Sequence, residues 1–190
     1  MPVPADASVL IVPGLRDHVD AHWQTLLAQR LPRAHTVPPL GRESIALQPR
    51  LECIEEAARR IEGPLVIVAH SAGVIMVAHW ALRTKCEVQG ALLATPPDFG
   101  KPLPAGYPTL EALDAHGWLP VPREPLPFPS IVAASRNDPL AAFSRVGELA
   151  RDWGSELVDL GRVGHLNPAS GFGAWDMAPA LIARLAARDS

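Results

Sequence analysis

A serine stands where an apolar run meets a helical pattern, in the segment VAHSAG at positions 68–73. The residues two before and two after Ser71 are the small Ala69 and Gly73. At a sharp strand-to-helix turn the serine backbone is strained and its hydroxyl points out above the sheet, and the strand and helix lie too close for large flanking side chains. The usual form of this turn is Gly-x-Ser-x-Gly, and alanine replaces the first glycine here. The pattern predicts that Ser71 is a nucleophile.

A serine hydroxyl must be activated by a base, which in such sites is a histidine oriented by a carboxylate. Of the three histidines that follow Ser71, His79 lies two helical turns further on and cannot fold back, and His116 precedes the best candidate for the acid. His165 follows the last predicted strand in a glycine-flanked loop, from which it can reach the serine. We therefore predict that His165 is the general base.

The acid is predicted to be Asp138, which follows the strand expected at 131–134 and keeps the chain order serine, acid, histidine. Its loop should lie beside that of His165. Asp98, after the preceding strand, is the second candidate, whereas Asp159 at a strand end is more typical of a structural residue. Asp138 could also cap the helix that follows it, using a different carboxylate oxygen for each purpose.

Two backbone N–H groups are expected to hold the negative charge that develops on a substrate oxygen. One should belong to Ala72, the residue after the nucleophile at a helix N-terminus. The other should come from the loop at 13–15, where Gly14 lets the chain bend; Leu15 N–H is preferred and Gly14 N–H is the alternative. This chemistry requires no metal and no cofactor, and we predict none.

Short apolar runs alternate with helical patterns along the whole chain. The runs show little polar alternation, which is typical of parallel strands buried on both faces. This arrangement predicts an α/β fold: a three-layer, doubly wound, mostly parallel sheet of about six strands, whose ligands bind at the carboxyl ends of the strands. Strands are predicted at 8–12, 34–37, 65–69, 88–94, 131–134 and 156–160, and helices at 21–31, 49–61, 72–82, 141–153 and 175–187.

The segment 95–129 interrupts this alternation and holds ten of the 21 prolines. Segments of this length in compact domains are usually lids or binding loops. A short helix is expected at 109–115, with Thr109 as its N-cap. We expect the segment to lie over the carboxyl end of the sheet, either as a lid or as a rigid proline-rich cover.

Length and composition favour one globular domain over residues 1–190. With 17 basic and 20 acidic residues the net charge is −3, which argues against nucleic acid or an anionic membrane as a partner. Cys53 and Cys86 form neither a disulfide framework nor a zinc cage and are expected to be small buried hydrophobes. The first residues, MPVPAD, show no secretory signal, so the expected location is the cytoplasm.

The stretch 63–82 lacks Asp, Glu, Lys and Arg, and its length alone would suit a membrane-spanning helix. Its composition favours another structure. Pro64 is followed by a β-branched run, and His70, Ser71 and Gly73 stand in the middle. A buried strand, a sharp turn and a buried helix explain the stretch better.

Taken together, these motifs resemble those of the α/β-hydrolases, and among them the small cap-less serine hydrolases of the retinoblastoma-binding-protein-nine type. The matching features span nearly the whole chain in the same order: Pro13-Gly14, His22-Trp23-Gln24, Ala69-His70-Ser71-Ala72-Gly73, Asp138-Pro139 and Gly164-His165-Leu166-Asn167. The resemblance implies that Ser71, Asp138 and His165 form a catalytic triad. It also implies hydrolysis of ester-like or similar acyl bonds of a small molecule.

Four further residues are expected around the substrate: Gly14, His22, Trp23 and His70. The alternative is that the two histidines and the tryptophan only pack beside the site. His18 and His22 are spaced like zinc ligands, but Val19 stands where a zinc protease needs glutamate, so metal binding is not expected. The retinoblastoma-pocket pattern Leu-x-Cys-x-Glu at 51–55 lies on a predicted amphipathic helix, and we interpret it as coincidence.

Two other functions use the same residues. A binding protein on a hydrolase scaffold would carry a vestigial triad and would tolerate loss of Ser71. An acyltransferase or perhydrolase would use the triad with an acceptor that outcompetes water.

Overall fold

Six parallel strands form the centre of the protein. The structure is a computed structural model that describes residues 3–4, 7–15, 19–41 and 44–187. The strand order in the sheet is β2-β1-β3-β4-β5-β6, and every neighbouring pair is parallel. The strands are β1 (Ser8–Val12), β2 (Ala34–Thr36), β3 (Leu65–His70), β4 (Gly90–Ala94), β5 (Ser130–Ala134) and β6 (Glu156–Asp159). The predicted α/β fold class is confirmed, with a sheet that is parallel throughout.

Helices connect the strands and cover both faces of the sheet. They are α1 (Trp23–Arg30), α2 (Leu47–Arg59), α3 (Ala72–Ala81), α4 (Leu110–Ala115), α5 (Phe143–Asp152) and α6 (Ala178–Ala186), with a short 3-10 helix at Pro168–Ser170. Most of the predicted helices are trimmed by a few residues at their ends. Helix α2 instead begins earlier than predicted, so that Pro49 lies in its first turn, where its missing N–H costs no helical hydrogen bond.

Alternate strand residues pack into two separate cores. Leu10 and Val12 face the core covered by α2, α3 and α5, whereas Val9 and Ile11 face the core covered by α1 and α6. Because both faces are buried, the strands have no polar side, which explains the continuous apolar runs in the sequence. The edge strands β2 and β6 are the exceptions, since most of their residues are exposed.

The strand order places a crevice at the carboxyl ends of β1 and β3. The chain passes from β1 to β2 on one side and then to β3 on the other side of β1. At such a reversal the two following loops diverge and leave room for a ligand. The loops that begin after Val12 and after His70 flank this crevice.

The proline-rich segment 95–129 is packed onto the body of the protein by its aromatic residues. Trp118 is fully buried, and its Nε1–H donates to the carbonyl of Ile45 at 2.7 Å. The Phe99 ring meets Trp118 edge to face, with centroids 5.7 Å apart. Thr109 caps α4 by accepting from Ala112 N–H at 3.2 Å, as predicted. These contacts hold the segment against the rest of the protein.

The charge-free stretch 63–82 is divided between β3 and α3. Within the described ranges of the chain, no helix combines the length and the apolar composition that a membrane span requires. The Leu-x-Cys-x-Glu pattern lies on α2, where Leu51 and Ile54 are buried and the Glu55 carboxylate accepts from Trp80 Nε1–H at 2.8 Å. An extended conformation would break these contacts, so the structure agrees with coincidence.

Candidate active site

Ser71 occupies the turn between β3 and α3 in a strained conformation, with φ 56° and ψ −130°. The neighbouring positions must be small, as the sequence indicated. A Cβ atom on Gly73 would lie 2.5 Å from the carbonyl oxygen of Val12 and 2.7 Å from that of Pro13. Gly14, the next residue of the same loop, lies close to the serine, since a Cβ there would lie 3.6 Å from Ser71 Oγ. The turn therefore presents the serine hydroxyl directly to the loop after β1.

Two short hydrogen bonds connect Ser71 with His165 and Asp138. His165 Nε2 lies 2.8 Å from Ser71 Oγ, and His165 Nδ1 lies 2.8 Å and 3.0 Å from the two oxygens of Asp138. The carboxylate accepts, so Nδ1 carries the proton and Nε2 presents a lone pair to the serine hydroxyl. The side chains of His165 and Asp138 are 6% and 1% exposed, so water competes little for these bonds. This is the geometry that a general base requires.

The loops after β5 and β6 hold the imidazole of His165 in place. Gly164 N–H donates to Asn137 Oδ1 at 2.8 Å, and His165 N–H donates to Ser170 Oγ at 3.0 Å. Gly164 has φ 58°, and a Cβ on it would lie 2.5 Å from Ser170 Oγ. The glycine before the histidine thus allows both the left-handed turn and the serine contact.

The other acids considered from the sequence are bonded elsewhere. Asp98 is paired with Arg145, whose Nε lies 3.4 Å from its carboxylate, and Asp159 accepts from Arg136 Nε–H at 2.7 Å. The hydrogen bond from Arg136 lowers the pKa of Asp159. Asp138 accepts from Leu140 N–H at 2.9 Å but does not cap the next helix. Helix α5 begins five residues after Asp138, at Phe143, and its N-cap is Ala142, so the alternative of Asp138 as a helix cap was wrong.

The remaining histidine candidates point away from Ser71. His79 donates from Nε2 to the Trp118 carbonyl at 3.1 Å, and His116 lies on the surface at the end of α4. Burial lowers the pKa of His79, so it is held neutral as a structural residue.

Two further histidines form a row with His165, in which His70 packs against His165 and His22 packs against His70. His70 Nε2 lies 2.9 Å from the backbone carbonyl of His165, and because a carbonyl only accepts, Nε2 must carry the proton. The ring centroids of His70 and His165 are 4.9 Å apart, and those of His22 and His70 are 4.5 Å apart. Burial and the adjacent His165 lower the pKa of His22 to about 4. Burial, followed by the charges of His165 and His22, lowers the pKa of His70 well below its usual value.

Gln24 ties together the two strands that flank the crevice. Its Nε2 donates to the carbonyl of Val12 at 3.2 Å and to that of Val68 at 3.0 Å, near the carboxyl ends of β1 and β3. The sequence suggested no role for this residue beyond its place in the family resemblance. A buried glutamine one residue inside a helix has no distinctive sequence pattern, so only the three-dimensional contacts reveal the connection.

A cavity of about 680 Å³ opens above Ser71. Gly14, His22 and His70 line it, as do Leu15 and Ala72, the two residues expected to supply N–H groups to an oxyanion. Ala72 is the first residue of α3, so its N–H has no partner within the helix. The other lining residues are Val19, Gln24, Ile45, Pro97, Phe99, Leu103, Gly106, Tyr107, Pro108, Leu140, His165, Asn167, Pro168 and Ala169.

Trp23 differs from the expectation that it borders the substrate. It is 1% exposed and lies behind the cavity, where its ring meets Trp175 at 4.9 Å and His70 at 6.1 Å. The first turn of α1 directs neighbouring side chains in different directions, so His22 faces the cavity and Trp23 faces the core. Trp23 is therefore a packing residue beneath His70.

Metal ligation finds no support in the described part of the chain, where no group of three or more His, Cys, Asp or Glu side chains could hold an ion. His18, one member of the pair considered for zinc, lies outside the described residues.

The sequence profile of a family described as serine hydrolase matches residues 9–184. The chain belongs to the serine hydrolase family. Membership supports a hydrolase activity. The finer resemblance to the retinoblastoma-binding-protein-nine type stays a prediction. No protein with curated annotation was found to match this serine hydrolase.

Solved structures of α/β-hydrolases resemble this serine hydrolase over nearly its full length. A protein described as a YdeN-like hydrolase from Pectobacterium atrosepticum is 27% identical, with a TM-score of 0.81 over 95% of this chain and 91% of that one. The YdeN gene product of B. subtilis is 18% identical, with a TM-score of 0.71 over 96% and 100% of the two chains. Est1E from Butyrivibrio proteoclasticus, solved with ferulic acid, is 12% identical, with a TM-score of 0.68 over 96% and 88%. The latter two likenesses concern the fold alone.

Proposed function

We propose that the protein hydrolyses an ester or similar acyl bond of a small molecule through an acyl-enzyme on Ser71. The observation that carries the proposal is the continuous hydrogen-bonded path from Asp138 through His165 to Ser71, with 2.8 Å on each side of the imidazole. The same path gives a reason for the strained backbone of Ser71, because this conformation exposes the serine hydroxyl at the turn.

The reaction proceeds in two halves. Ser71 Oγ attacks the acyl carbon while its proton passes to His165 Nε2, and the Asp138 carboxylate stabilises the imidazolium that forms. The N–H groups of Ala72 and Leu15 hold the oxyanion. The tetrahedral species collapses when the leaving group takes the proton from His165. Water then attacks the acyl-enzyme with the same histidine as base, which releases the acid and restores Ser71.

A fluorophosphonate probe tests the proposal, because it forms a covalent bond only with an activated serine. We expect labelling of the wild-type protein with Ser71 as the mapped residue, no labelling of Ser71→Ala, and a loss of about 10⁴-fold in the turnover of an activated ester for Asp138→Asn. Asp159→Asn is the matched control, since Asp159 is an acid at the end of β6 that is bonded to Arg136, and it should keep its activity.

Three results would contradict the proposal. Labelling at another residue would move the nucleophile. No labelling of a folded wild-type protein would favour a binding protein with a vestigial triad. Product analysis that shows acyl transfer to a non-water acceptor ahead of hydrolysis would favour an acyltransferase on the same residues.

A further inference from the structure

The cavity beside Ser71 combines a few polar side chains with a larger apolar surface. Its polar side chains are those of Ser71, Gln24, Tyr107, Asn167 and three neighbouring histidines, His22, His70 and His165. The walls are formed mainly by apolar side chains, which come from the proline-rich segment and from three other places in the chain: Pro97, Phe99, Leu103, Pro108, Leu15, Val19, Ile45 and Leu140. Most of the surface that a substrate would contact away from Ser71 is therefore apolar.

The described lining residues include no Lys, Arg, Asp or Glu. Two of the three lining histidines, His22 and His70, are neutral at pH 7 because burial lowers the pKa of each. An anionic group on a substrate would thus lose its hydration without gaining a basic side chain as partner among these described residues, which is costly. An apolar group of similar size would gain free energy by leaving water.

The apolar wall is supported by packing contacts behind it. Phe99 is 3% exposed and rests edge to face on the buried Trp118, and the same tryptophan binds the carbonyl of Ile45. Two wall residues from distant parts of the chain are thus held by one side chain. A cavity of about 680 Å³ falls within the range of preformed small-molecule sites.

We propose that this cavity selects substrates whose acyl group is uncharged, apolar and longer than acetyl, such as a medium-length alkyl or an aryl group. The inference rests on the proposed function, since it concerns the acyl group that Ser71 would receive. The acyl group stays bonded to Ser71 Oγ after the leaving group departs, so it is the half of the substrate that these walls contact longest.

Three p-nitrophenyl esters with the same leaving group test the inference: the acetate, the hexanoate, and the monoester of adipic acid, which replaces the terminal methyl of hexanoate by a carboxylate. We expect kcat/KM for the hexanoate to exceed that for the acetate by about 10- to 100-fold, because four more carbons are buried. The adipate monoester should fall at least about tenfold below the hexanoate.

A substitution on the wall should redirect this preference. Leu103 is half-buried on the cavity wall and takes no part in the proposed chemistry. Leu103→Lys places a cation there on a flexible stem, and we expect it to shift the hexanoate-to-adipate ratio by about tenfold toward the adipate. Leu103→Met conserves volume and charge and should keep the wild-type order.

Calorimetry on the Ser71→Ala protein, titrated with ethyl hexanoate and with monoethyl adipate, keeps the two proposals distinguishable. If Ser71 is labelled but the three esters react at equal rates, or the adipate monoester reacts fastest, the proposed apolar pocket is contradicted and the proposed hydrolase function is not. Absence of labelling, together with tighter binding of ethyl hexanoate, would overturn the hydrolase and leave the pocket standing. Absence of labelling without such a preference would overturn both.

Discussion

At the scale of single residues, His70 links Ser71 and His165, the proposed nucleophile and the proposed base. It directly precedes Ser71 in the chain, and its side chain donates to the backbone carbonyl of His165 at 2.9 Å. The position of the serine and that of the imidazole are thus connected through one side chain as well as through their own hydrogen bond. His70 is in this sense a positioning residue that acts through His165.

Replacing His70 should separate this role from simple packing. His70→Leu fills similar space without a donor, and we expect kcat to fall about 10- to 100-fold because the imidazole of His165 is less well placed. His70→Gln carries an amide N–H at a similar reach and should recover most of the loss. The measurement is kcat and KM on p-nitrophenyl hexanoate, together with the rate of fluorophosphonate labelling. Equal losses in the two folded variants would reduce His70 to a packing residue.

The buried histidines also predict acid sensitivity of the fold. The pKa of His22 is about 4 in the folded protein and 6.5 when unperturbed. Between these values the unfolded chain binds a proton that the folded protein does not, so the free energy of unfolding should drop by up to about 1.4 kcal/mol for each pH unit lost. His70 adds to the drop in the same direction.

Urea unfolding between pH 4 and pH 7.5 measures this dependence. His22→Asn is the comparison variant, because an asparagine oxygen can still accept from Gln24 N–H, the capping bond that His22 Nδ1 makes at 3.2 Å. We expect its pH dependence to be flatter than that of the wild type by about one proton. Superimposable curves for the two proteins would show that His22 is not held neutral by the fold.

At the scale of elements, backbone strain is concentrated at the carboxyl edge of the sheet. Three non-glycine residues of the described chain have positive φ: Ser71 at 56°, Thr95 at 45° and Leu166 at 47°. Ser71 directly follows β3 and Thr95 directly follows β4, whereas Leu166 lies in the loop after β6, one residue past His165. Such conformations cost of the order of 1–3 kcal/mol each and persist only where the surroundings hold them. Thr95 and Leu166 are almost fully buried, so packing supplies that support.

The close approach of α3 to β1 can be tested at Gly73. Gly73→Ala places a methyl group against two backbone carbonyls of the loop after β1, which cannot rotate away. We expect a loss of about 1–3 kcal/mol in the free energy of unfolding and a marked loss of esterase activity, because the loop that carries Leu15 must shift. Gly147→Ala is the control. Gly147 lies within α5, and a Cβ on it would make only an ordinary contact, at 3.6 Å from Leu157. That variant should be neutral or slightly more stable.

At the scale of the whole molecule, two buried tryptophans fasten the proline-rich segment to the body. Trp118 Nε1–H donates to the carbonyl of Ile45 at 2.7 Å, and Trp153 Nε1–H donates to the carbonyl of Pro122 at 2.9 Å. Both side chains are almost fully buried in the same core. Only Trp118 lies behind the cavity, where it supports Phe99. Stability and substrate binding should therefore respond differently to the two residues.

The pair Trp118→Phe and Trp153→Phe provides the comparison. Each change leaves one buried carbonyl without its donor and should cost about 1–3 kcal/mol in the free energy of unfolding. Only Trp118→Phe should raise KM for p-nitrophenyl hexanoate relative to the acetate, because only there does the wall of the cavity lose its support. Denaturant unfolding and steady-state kinetics on both variants measure these effects. An equal rise in KM for Trp153→Phe would contradict the claim that only Trp118 supports the cavity wall.

Local sequence patterns were sufficient to predict the strands and the turn at Ser71, because these features depend on residues that are neighbours along the chain. The apolar runs predicted all six strands to within two residues at each end, and the small residues around Ser71 predicted the turn that the positive φ of Ser71 shows. Chain order and the loops that follow strands were enough to select Asp138 and His165, because the carboxyl ends of parallel strands meet at one edge.

Contacts between distant segments were decided only by the tertiary structure. The bonds of Gln24 to two strands, the support of Phe99 by Trp118, and the burial of Trp23 behind His70 join residues with no regular spacing in the chain. Which side of a helix turn faces a cavity depends on how the helix is rotated against the sheet, and that rotation is fixed by the packing of the whole core. The sequence by itself therefore determined the elements and the candidate catalytic side chains, and the folded structure determined what surrounds them.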